Sequence, residues 1–153
     1  MTELDQKDRK ILRELQRDGR LTTLELAERV HLSPTATAER MKRLTRDGYI
    51  LGYAARLSPD KLGRGMIVFV EVKMDRTSDA VFSEFKRVAE STPDIMECHM
   101  VAGGFDYLIK ARVKDMTAYR AFLSDALLAL PGVRETHTYA VMEEVKNTAS
   151  IAF

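Results

Sequence analysis

Hydrophobic residues in the first third of the chain recur at the spacing of short amphipathic helices. The apolar face of the first predicted helix includes one acidic residue, and its members are Leu4, Asp8, Ile11, Leu12 and Leu15. Asp5 is a suitable cap for the start of this helix, and Gly19 ends it. Thr22 and Glu25 have the spacing of a capping box, which predicts a second helix beginning there.

A third helix is predicted directly after a tight connection. Ser33 is a good helix cap, and Pro34 follows at the position where its missing N–H costs nothing. The helix is expected to run to about Asp47, with Gly48 closing it. Three short helices with a tight second turn predict a helix-turn-helix unit.

The rest of the chain changes to the alternating pattern of strands. Residues 49–53 have strand character, and from Met66 onward apolar residues alternate with a period of two. The predicted elements are then a strand from Met66, a helix over 78–91, strands over 95–102 and 105–113, a helix over 115–130 and a strand over 133–145. This βαββαβ order is that of ferredoxin-like folds.

Several of the predicted strands are apolar on both sides. Ile67 and Phe69 oppose Val68 and Val70 on the first of them. Both helices of a βαββαβ unit cover the same face of its sheet, so an apolar second face needs a partner. Two such sheets packed face to face would cover it, and the pattern therefore predicts a homo-oligomer.

The fold class is therefore α+β, with two domains. We expect a winged-type helix-turn-helix domain over 1–52, a linker over 53–64, and a ferredoxin-like ligand-binding and oligomerisation domain over 65–153. Net charge supports the division, because residues 1–64 carry 14 Lys and Arg against 10 Asp and Glu, while the remainder is acidic.

Composition excludes several protein classes. The 153 residues are 45% hydrophobic and 31% charged, and no apolar run approaches the roughly 20 residues that span a bilayer. The polar N-terminus lacks the apolar core of a signal peptide. The single Cys98 excludes an internal disulfide framework. A cytoplasmic protein without a membrane partner is expected.

The outward arc of the third helix is basic. Its candidate DNA contacts are Ser33, Thr35, Ala36, Arg40, Arg43 and Arg46. In a helix-turn-helix this arc enters the major groove, where arginine reads guanine and hydroxyl groups bind phosphates. Ala38, Met41 and Leu44 are expected to face the first two helices. A solvated basic face is the alternative, and the preceding capped helix and short turn favour DNA binding over it.

No catalytic or metal site is predicted. Cys98 and His99 are neighbours on a strand and point to opposite faces, so they cannot form a nucleophile–base dyad. His31 and His137 have no ligands at metal spacing. Gly103 and Gly104 allow a tight turn or a close approach to a ligand, but they do not form a phosphate-binding fingerprint.

Asp106, which follows this glycine pair, could hold an ammonium group. From spacing alone, however, a plain hairpin with a solvated aspartate is the favoured interpretation of Gly103, Gly104 and Asp106.

Short motifs in the same order and spacing make the whole chain resemble the Lrp/AsnC family of transcription regulators. The matching stretches are Leu4-Asp5-x-x-Asp8-x-x-Ile11-Leu12, Leu15-Gln16-x-Asp18-Gly19-Arg20, Leu32-Ser33-Pro34-Thr35, Asp47-Gly48-Tyr49-Ile50-x-Gly52-Tyr53, Glu97-Cys98-His99-x-Val101-x-Gly103, Phe105-Asp106-Tyr107-Leu108, Leu130-Pro131-Gly132-Val133 and Val141-Met142-Glu143-Glu144-Val145-Lys146.

This resemblance implies double-stranded DNA and an amino acid as partners, no other cofactor, and dimers that often assemble into octamers. The implied effector site comprises Met100, Gly103, Gly104, Asp106, Thr136, Thr138, Tyr139 and Val141. The sequence departs from the leucine-responsive pattern at Gly104, where an acidic residue is usual, and at Ala36-Thr37, where Pro-Cys is usual.

The expected function is therefore an amino-acid-responsive regulator of amino-acid metabolism genes, with no enzymatic activity. Leucine or another apolar amino acid is the expected effector, because Met100, Tyr139 and Val141 could line an apolar pocket. An architectural protein that wraps DNA with little effector control is the main alternative. An enzyme of the dimeric ferredoxin-like kind is disfavoured by the lack of converging catalytic groups. The expected location is the cytoplasm, in association with the nucleoid.

Overall fold

The computed structural model describes residues 3–75 and 78–153, which include two compact units. One unit contains the first 56 residues together with Lys146–Phe153, and the other contains Leu57–Val145. Among the helices of the described residues, none is long and apolar enough to cross a membrane.

Three helices build the N-terminal unit, and each begins at the cap that the sequence predicts. Helix α1 spans Gln6–Arg17, α2 spans Thr23–Val30 and α3 spans Pro34–Arg46. Asp5 and Thr22 each complete a capping box, and the Ser33 side chain accepts a hydrogen bond from the third residue of α3. The three helices pack around a common core of Ile11, Leu15, Leu21, Leu26, Val30, Leu44 and Ile50.

The turn between α2 and α3 is held by a lysine from α1. His31 adopts the left-handed conformation, with φ of 55°, and ends α2. The Lys7 ammonium donates to the Val30 carbonyl oxygen at 2.7 Å. A cation at this end of α2 satisfies a free carbonyl and complements the helix dipole, so α1 helps to set the direction in which α3 leaves the turn.

The second unit is a four-stranded antiparallel sheet with helices interspersed in the chain. Its elements are β1 (Met66–Met74), α4 (Asp79–Ser91), β2 (Ile95–Met100), β3 (Tyr107–Val113), α5 (Met116–Phe122), a π-helical turn (Leu123–Leu127) and β4 (Val133–Ala140). The strand order β2-β3-β1-β4 and the βαββαβ succession confirm the ferredoxin-like prediction.

One face of this sheet carries the core of the unit. Val68, Val70 and Val72 of β1 are fully buried and pack with Phe85 of α4 and Leu127 of the π-helical turn. The alternation in β1 therefore follows the predicted period of two. The opposite face, which we call the open face, carries Phe69, Glu71 and Lys73 of β1, with Leu108, Lys110 and Arg112 of β3 beside them, all partly buried. Ile67 lies at one end of this face and is already buried within the single chain.

The structure differs from the sequence-based boundaries in several elements. Residues 49–53 belong to no strand of the described chain; the Tyr49 and Ile50 N–H groups instead donate to the Leu44 carbonyl oxygen near the end of α3. The helix predicted over 115–130 is α-helical only to Phe122 and then widens into the π-helical turn. The last strand stops at Ala140 rather than continuing to residue 145.

The C-terminal segment contacts the helical unit. Residues 146–153, which the sequence predicts as part of the ligand-binding domain, lie in the same compact unit as α1. Gln16 of α1 donates to the Ile151 carbonyl at 3.0 Å and accepts from the Ile151 N–H at 2.7 Å. The Arg13 guanidinium donates to the Phe153 carbonyl and lies over the Phe153 ring. These contacts hold residues 151–153 against α1.

Candidate nucleic-acid interface and effector loop

Helix α3 presents one side to the core and the other to solvent. Leu44 is almost fully buried, and Met41 packs against the same core, as predicted. Thr37 is also fully buried, and its hydroxyl donates to the Ser33 carbonyl at 3.0 Å. The inward side of α3 therefore includes Thr37, which the apolar pattern alone did not indicate because threonine is polar.

The outward side of α3 forms a shallow concave surface rich in cations. This surface, which we call the outer face of α3, is lined by Ala36, Glu39, Arg40, Lys42, Arg43 and Arg46. Four of the predicted DNA-contact residues lie on it together. Arg46 and Lys42 are the most exposed of its cations, and within the described residues they pair with the carboxylates of Asp47 and Glu39, respectively.

The remaining two predicted contacts lie at the start of α3. The Ser33 hydroxyl oxygen accepts from the Ala36 N–H at 3.2 Å, so the cap uses its acceptor capacity while its own O–H stays available as a donor. Thr35 is exposed in the first turn. Both hydroxyl groups lie at the helix N-terminus, where the dipole favours a phosphate.

Arg40 and Arg43 are less free than the helical pattern suggests. Arg43 donates to both carboxylate oxygens of Asp8, at 2.5 and 2.6 Å, and Arg40 donates to Asp8 at 2.7 Å and to Asp5 at 2.6 Å. Hydrogen bonds to Asp5 and then Asp8 raise the pKa of Arg40 above its ordinary value. The Asp8 backbone N–H, followed by Arg40, holds the pKa of Asp5 below its ordinary value.

The second region of interest is the loop over residues 101–106, between β2 and β3. Asp106 anchors it to β1: its backbone N–H donates to the Val72 carbonyl at 2.9 Å, and its Oδ2 accepts from the Met74 N–H at 2.7 Å. No residue of the described chain donates to the other oxygen, Oδ1. The side chain is half-buried. Asp106 is thus a structural anchor with one acceptor oxygen left over.

The two glycines of this loop are open to their surroundings. A Cβ atom added at Gly103 or Gly104 would meet nothing within 4 Å, and neither residue has a positive φ. Neither the backbone conformation nor packing within the described chain therefore requires glycine there. The glycines leave open space beside the loop backbone.

Candidate effector residues on the strands fall into two groups. Met100 pairs with Tyr107, and Tyr107 and Thr136 both pair with Val72, so Met100 and Thr136 lie near the Asp106 end of the sheet. Tyr139 lies further along β4, opposite Phe69 on the open face, and donates to Glu71 at 3.2 Å.

The other two strand candidates lie at neither of these positions. Thr138 is on the helix-covered side, hydrogen-bonded to the Tyr119 hydroxyl. Val141 follows the end of β4 and donates its N–H to the Ile67 carbonyl at 3.0 Å. One chain does not bring the eight candidates into one cluster.

The residues set aside as catalytic candidates stay apart. Strand register places Cys98 opposite Ile109 and His99 opposite Leu108, which are on different faces of the sheet. Residues 3–75 and 78–153 contain no group of three or more His, Cys, Asp or Glu side chains arranged to hold a metal ion.

Two family models together match most of the chain. The model described as "Lrp/AsnC ligand binding domain" matches residues 67–151, and the model described as "Winged helix-turn-helix DNA-binding" matches residues 4–50. The chain belongs to the Lrp/AsnC family. It is a DNA-binding transcription regulator with a ligand-binding domain, as the sequence motifs imply.

Individual Lrp/AsnC proteins are similar along nearly their whole length. The Leucine-responsive regulatory protein of Escherichia coli (strain K12) is 51% identical over 146 residues, which are 95% of this chain and 89% of that protein. A transcriptional regulator of Neisseria meningitidis, solved as an L-Met complex, is 37% identical to this chain and has a TM-score of 0.93. The match covers 98% of this chain and 97% of the Neisseria chain.

A third similar protein is an AsnC family transcriptional regulator from Agrobacterium tumefaciens. It is 32% identical, has a TM-score of 0.93, and covers 97% of both chains. The matched proteins are transcription regulators rather than enzymes.

Proposed function

We propose that this Lrp/AsnC regulator binds an amino acid with an apolar side chain at the 101–106 loop and adjusts the transcription of amino-acid metabolism genes accordingly. The observation that carries the proposal is the pairing of an open, glycine-lined backbone with a half-buried carboxylate that has one unused oxygen. The names of the relatives support it, since one is leucine-responsive and another was solved with L-Met.

The chemistry of an amino acid fits these groups. The Asp106 Oδ1 atom can accept from the ligand ammonium, and the N–H groups of the loop around Gly103 and Gly104 can donate to its carboxylate. Met100 is 54% exposed and Tyr139 is 50% exposed, so both have apolar surface to offer to a leucine-sized side chain. Thr136 pairs with Val72 at the Asp106 end of the sheet, and Thr138 supports the strand through Tyr119.

We infer that two copies of the chain complete the site, because the effector candidates are spread over the sheet. Tyr139 lies on the open face opposite Phe69, and Val141, just beyond β4, is hydrogen-bonded to Ile67. If open faces pack together in a dimer, the effector residues of one subunit can meet the loop of another. We expect DNA to be bound by a dimer or by a larger assembly such as an octamer, in association with the nucleoid. A ligand in a shared site stabilises whichever assembly completes its contacts.

Asp106→Asn is expected to remove the response to apolar amino acids while keeping the fold. Asparagine retains an oxygen that can accept from the Met74 N–H, but it lacks the charge that pairs with an ammonium group. Operator binding and sedimentation of both proteins should be measured across titrations with leucine and methionine. Affinity for the amino acid should fall by about tenfold or more, since charged hydrogen bonds contribute about 1.5–3 kcal/mol.

Asp75→Asn is the matched control, because it removes the same charge from an exposed aspartate of the same unit. It should respond as the wild type does. A response of Asp106→Asn equal to that of the wild type would contradict this assignment of the pocket. A wild-type protein that binds no amino acid would instead favour the architectural alternative.

The proposed DNA contacts of the outer face of α3 make a separate prediction. Arg43→Ala is expected to weaken binding to all duplexes and to reduce the salt slope by about one unit if it removes one phosphate contact. Arg40→Ala should also change base preference, at a cost of roughly 1–3 kcal/mol for a bidentate base contact. Fluorescence anisotropy over a range of salt concentrations measures both effects. An unchanged affinity and slope in both variants would remove this face from the interface.

A further inference from the structure

A buried carboxylate lies directly behind the outer face of α3. Asp8 belongs to α1 and is only 1% exposed, which is rare for an aspartate. It contacts two arginines that reach it from the neighbouring helix, Arg40 and Arg43. Removing a charge from water is costly unless it is paired and hydrogen-bonded, so Asp8 requires these partners.

The two arginines use only part of their hydrogen-bonding capacity on this carboxylate. Arg43 reaches both oxygens of Asp8 through Nη2 alone, and Arg40 reaches Asp8 and Asp5 through Nη1 alone. A guanidinium carries five N–H donors in a rigid fork. Within the part of the chain that the structure describes, the Nε atom and the second terminal nitrogen of each arginine have no acceptor, which leaves three N–H donors on each side chain.

We propose that Asp8 is a positioning residue for DNA recognition: it holds Arg40 and Arg43 on the outer face of α3 with their remaining N–H donors directed away from α1. This inference rests on the proposed role of the two arginines as DNA contacts. Because the side chains are ordered in the folded protein, their conformational entropy is lost on folding rather than on binding.

The proposal and simple electrostatics predict opposite changes in affinity for the preferred DNA sequence when Asp8 is replaced. Removing an acidic group next to a DNA-binding surface adds one positive charge, and by charge alone this tightens binding to any duplex. If Asp8 positions the arginines, its loss instead weakens binding to the preferred sequence. Discrimination between sequences is therefore the quantity that separates a positioning role from a bystander charge.

The test compares Asp8→Asn with the wild type on two duplexes of equal length. One is a sequence selected from a random pool by the wild-type protein, and the other is a scrambled version. Positioning predicts that the ratio of the two affinities falls by about tenfold, the size expected when two long side chains are ordered on binding instead of on folding. Asp47→Asn is the control, because it removes the same charge at the exposed partner of Arg46.

A double-mutant comparison shows whether Asp8 acts through the arginines. In a protein that already carries Arg40→Ala and Arg43→Ala, Asp8→Asn should leave the affinity ratio unchanged. If the arginine variants alone do not change DNA binding, the proposed function of this face fails. If they weaken binding but Asp8→Asn keeps or raises the ratio, the DNA contacts stand and the positioning role is overturned.

Asp5→Asn covers the case in which Asp8→Asn does not fold. Asparagine is a good helix cap, so its Oδ1 can still accept a hydrogen bond from the Asp8 N–H. Its amide NH2 group, however, cannot accept from the Arg40 guanidinium as the carboxylate oxygen does. Positioning predicts a smaller fall in the ratio, confined to the base pair that Arg40 reads. An unchanged ratio for this variant, with its thermal midpoint near that of the wild type, would contradict the role of the carboxylates.

Discussion

Replacing Phe69 with Asp is expected to convert the protein from an oligomer to a folded monomer. Phe69 lies on the open face between Lys110 of β3 and Tyr139 of β4, and it is partly buried within the single chain. In a dimer packed through this face, the new carboxylate would lose its water. An unpaired buried charge costs several kcal/mol, and a symmetric interface incurs that cost twice.

Lys110 is not expected to neutralise the new carboxylate, because its ammonium group already forms an ion pair with Glu97 at 2.9 Å. Sedimentation velocity of the wild type and the variant measures the change in assembly. Met116→Asp is a matched control, since Met116 is an exposed apolar residue in the first turn of α5 and not on the open face. A Phe69→Asp variant that sediments as the wild type does would contradict packing through the open face.

Local sequence signals predicted the helical unit well. Each cap is a contact between residues three positions apart, so Asp5, Thr22 and Ser33 identified the three helix starts without any tertiary information. The alternation in β1 likewise arises from a strand with one face on the core. These features were predictable because their causes lie within a few residues of one another.

Features that depend on distant partners were not predictable. Residues 49–53 have a high β-propensity, but strand formation also requires a place in a sheet, and the sheet of the described residues does not include them. The contact of Gln16 with Ile151 joins opposite ends of the sequence. No local sequence pattern in α1 or in residues 146–153 predicts this contact.

The candidate sites show the same division. Helical periodicity located the basic face of α3 and placed Asp8 on the same side of α1 as Ile11 and Leu15, where the structure buries it. The ion pairs of Asp8 with Arg40 and Arg43 could not be deduced, because they depend on how α1 and α3 cross. The pattern of apolar residues places Asp8 on the core-facing side of α1. Only the folded structure shows that Arg40 and Arg43 are the cations that pair with it.

Phe85→Ala is expected to have the largest effect on stability and to act selectively on the ligand-binding unit. The Phe85 ring is fully buried and lies against the Tyr107 ring, with centroids 4.2 Å apart. Truncating a buried phenylalanine to alanine costs about 3–5 kcal/mol through lost burial and the cavity left behind. Tyr107 directly follows Asp106, so the cavity would also loosen the anchor of the 101–106 loop.

Calorimetry and ligand titration together test this expectation. The thermal transition of the ligand-binding unit should move to lower temperature, and affinity for the amino acid should fall more than affinity for non-specific DNA. Phe82→Ala is the control, because Phe82 is only partly buried and its ring lies 6.1 Å from that of Tyr107. Equal losses for the two variants would show that Phe85 is no more central to this core than Phe82. An unchanged ligand affinity in a destabilised Phe85→Ala protein would separate the loop from the aromatic core, leaving the hydrogen bonds of Asp106 to Val72 and Met74 as its sole anchor among the described residues.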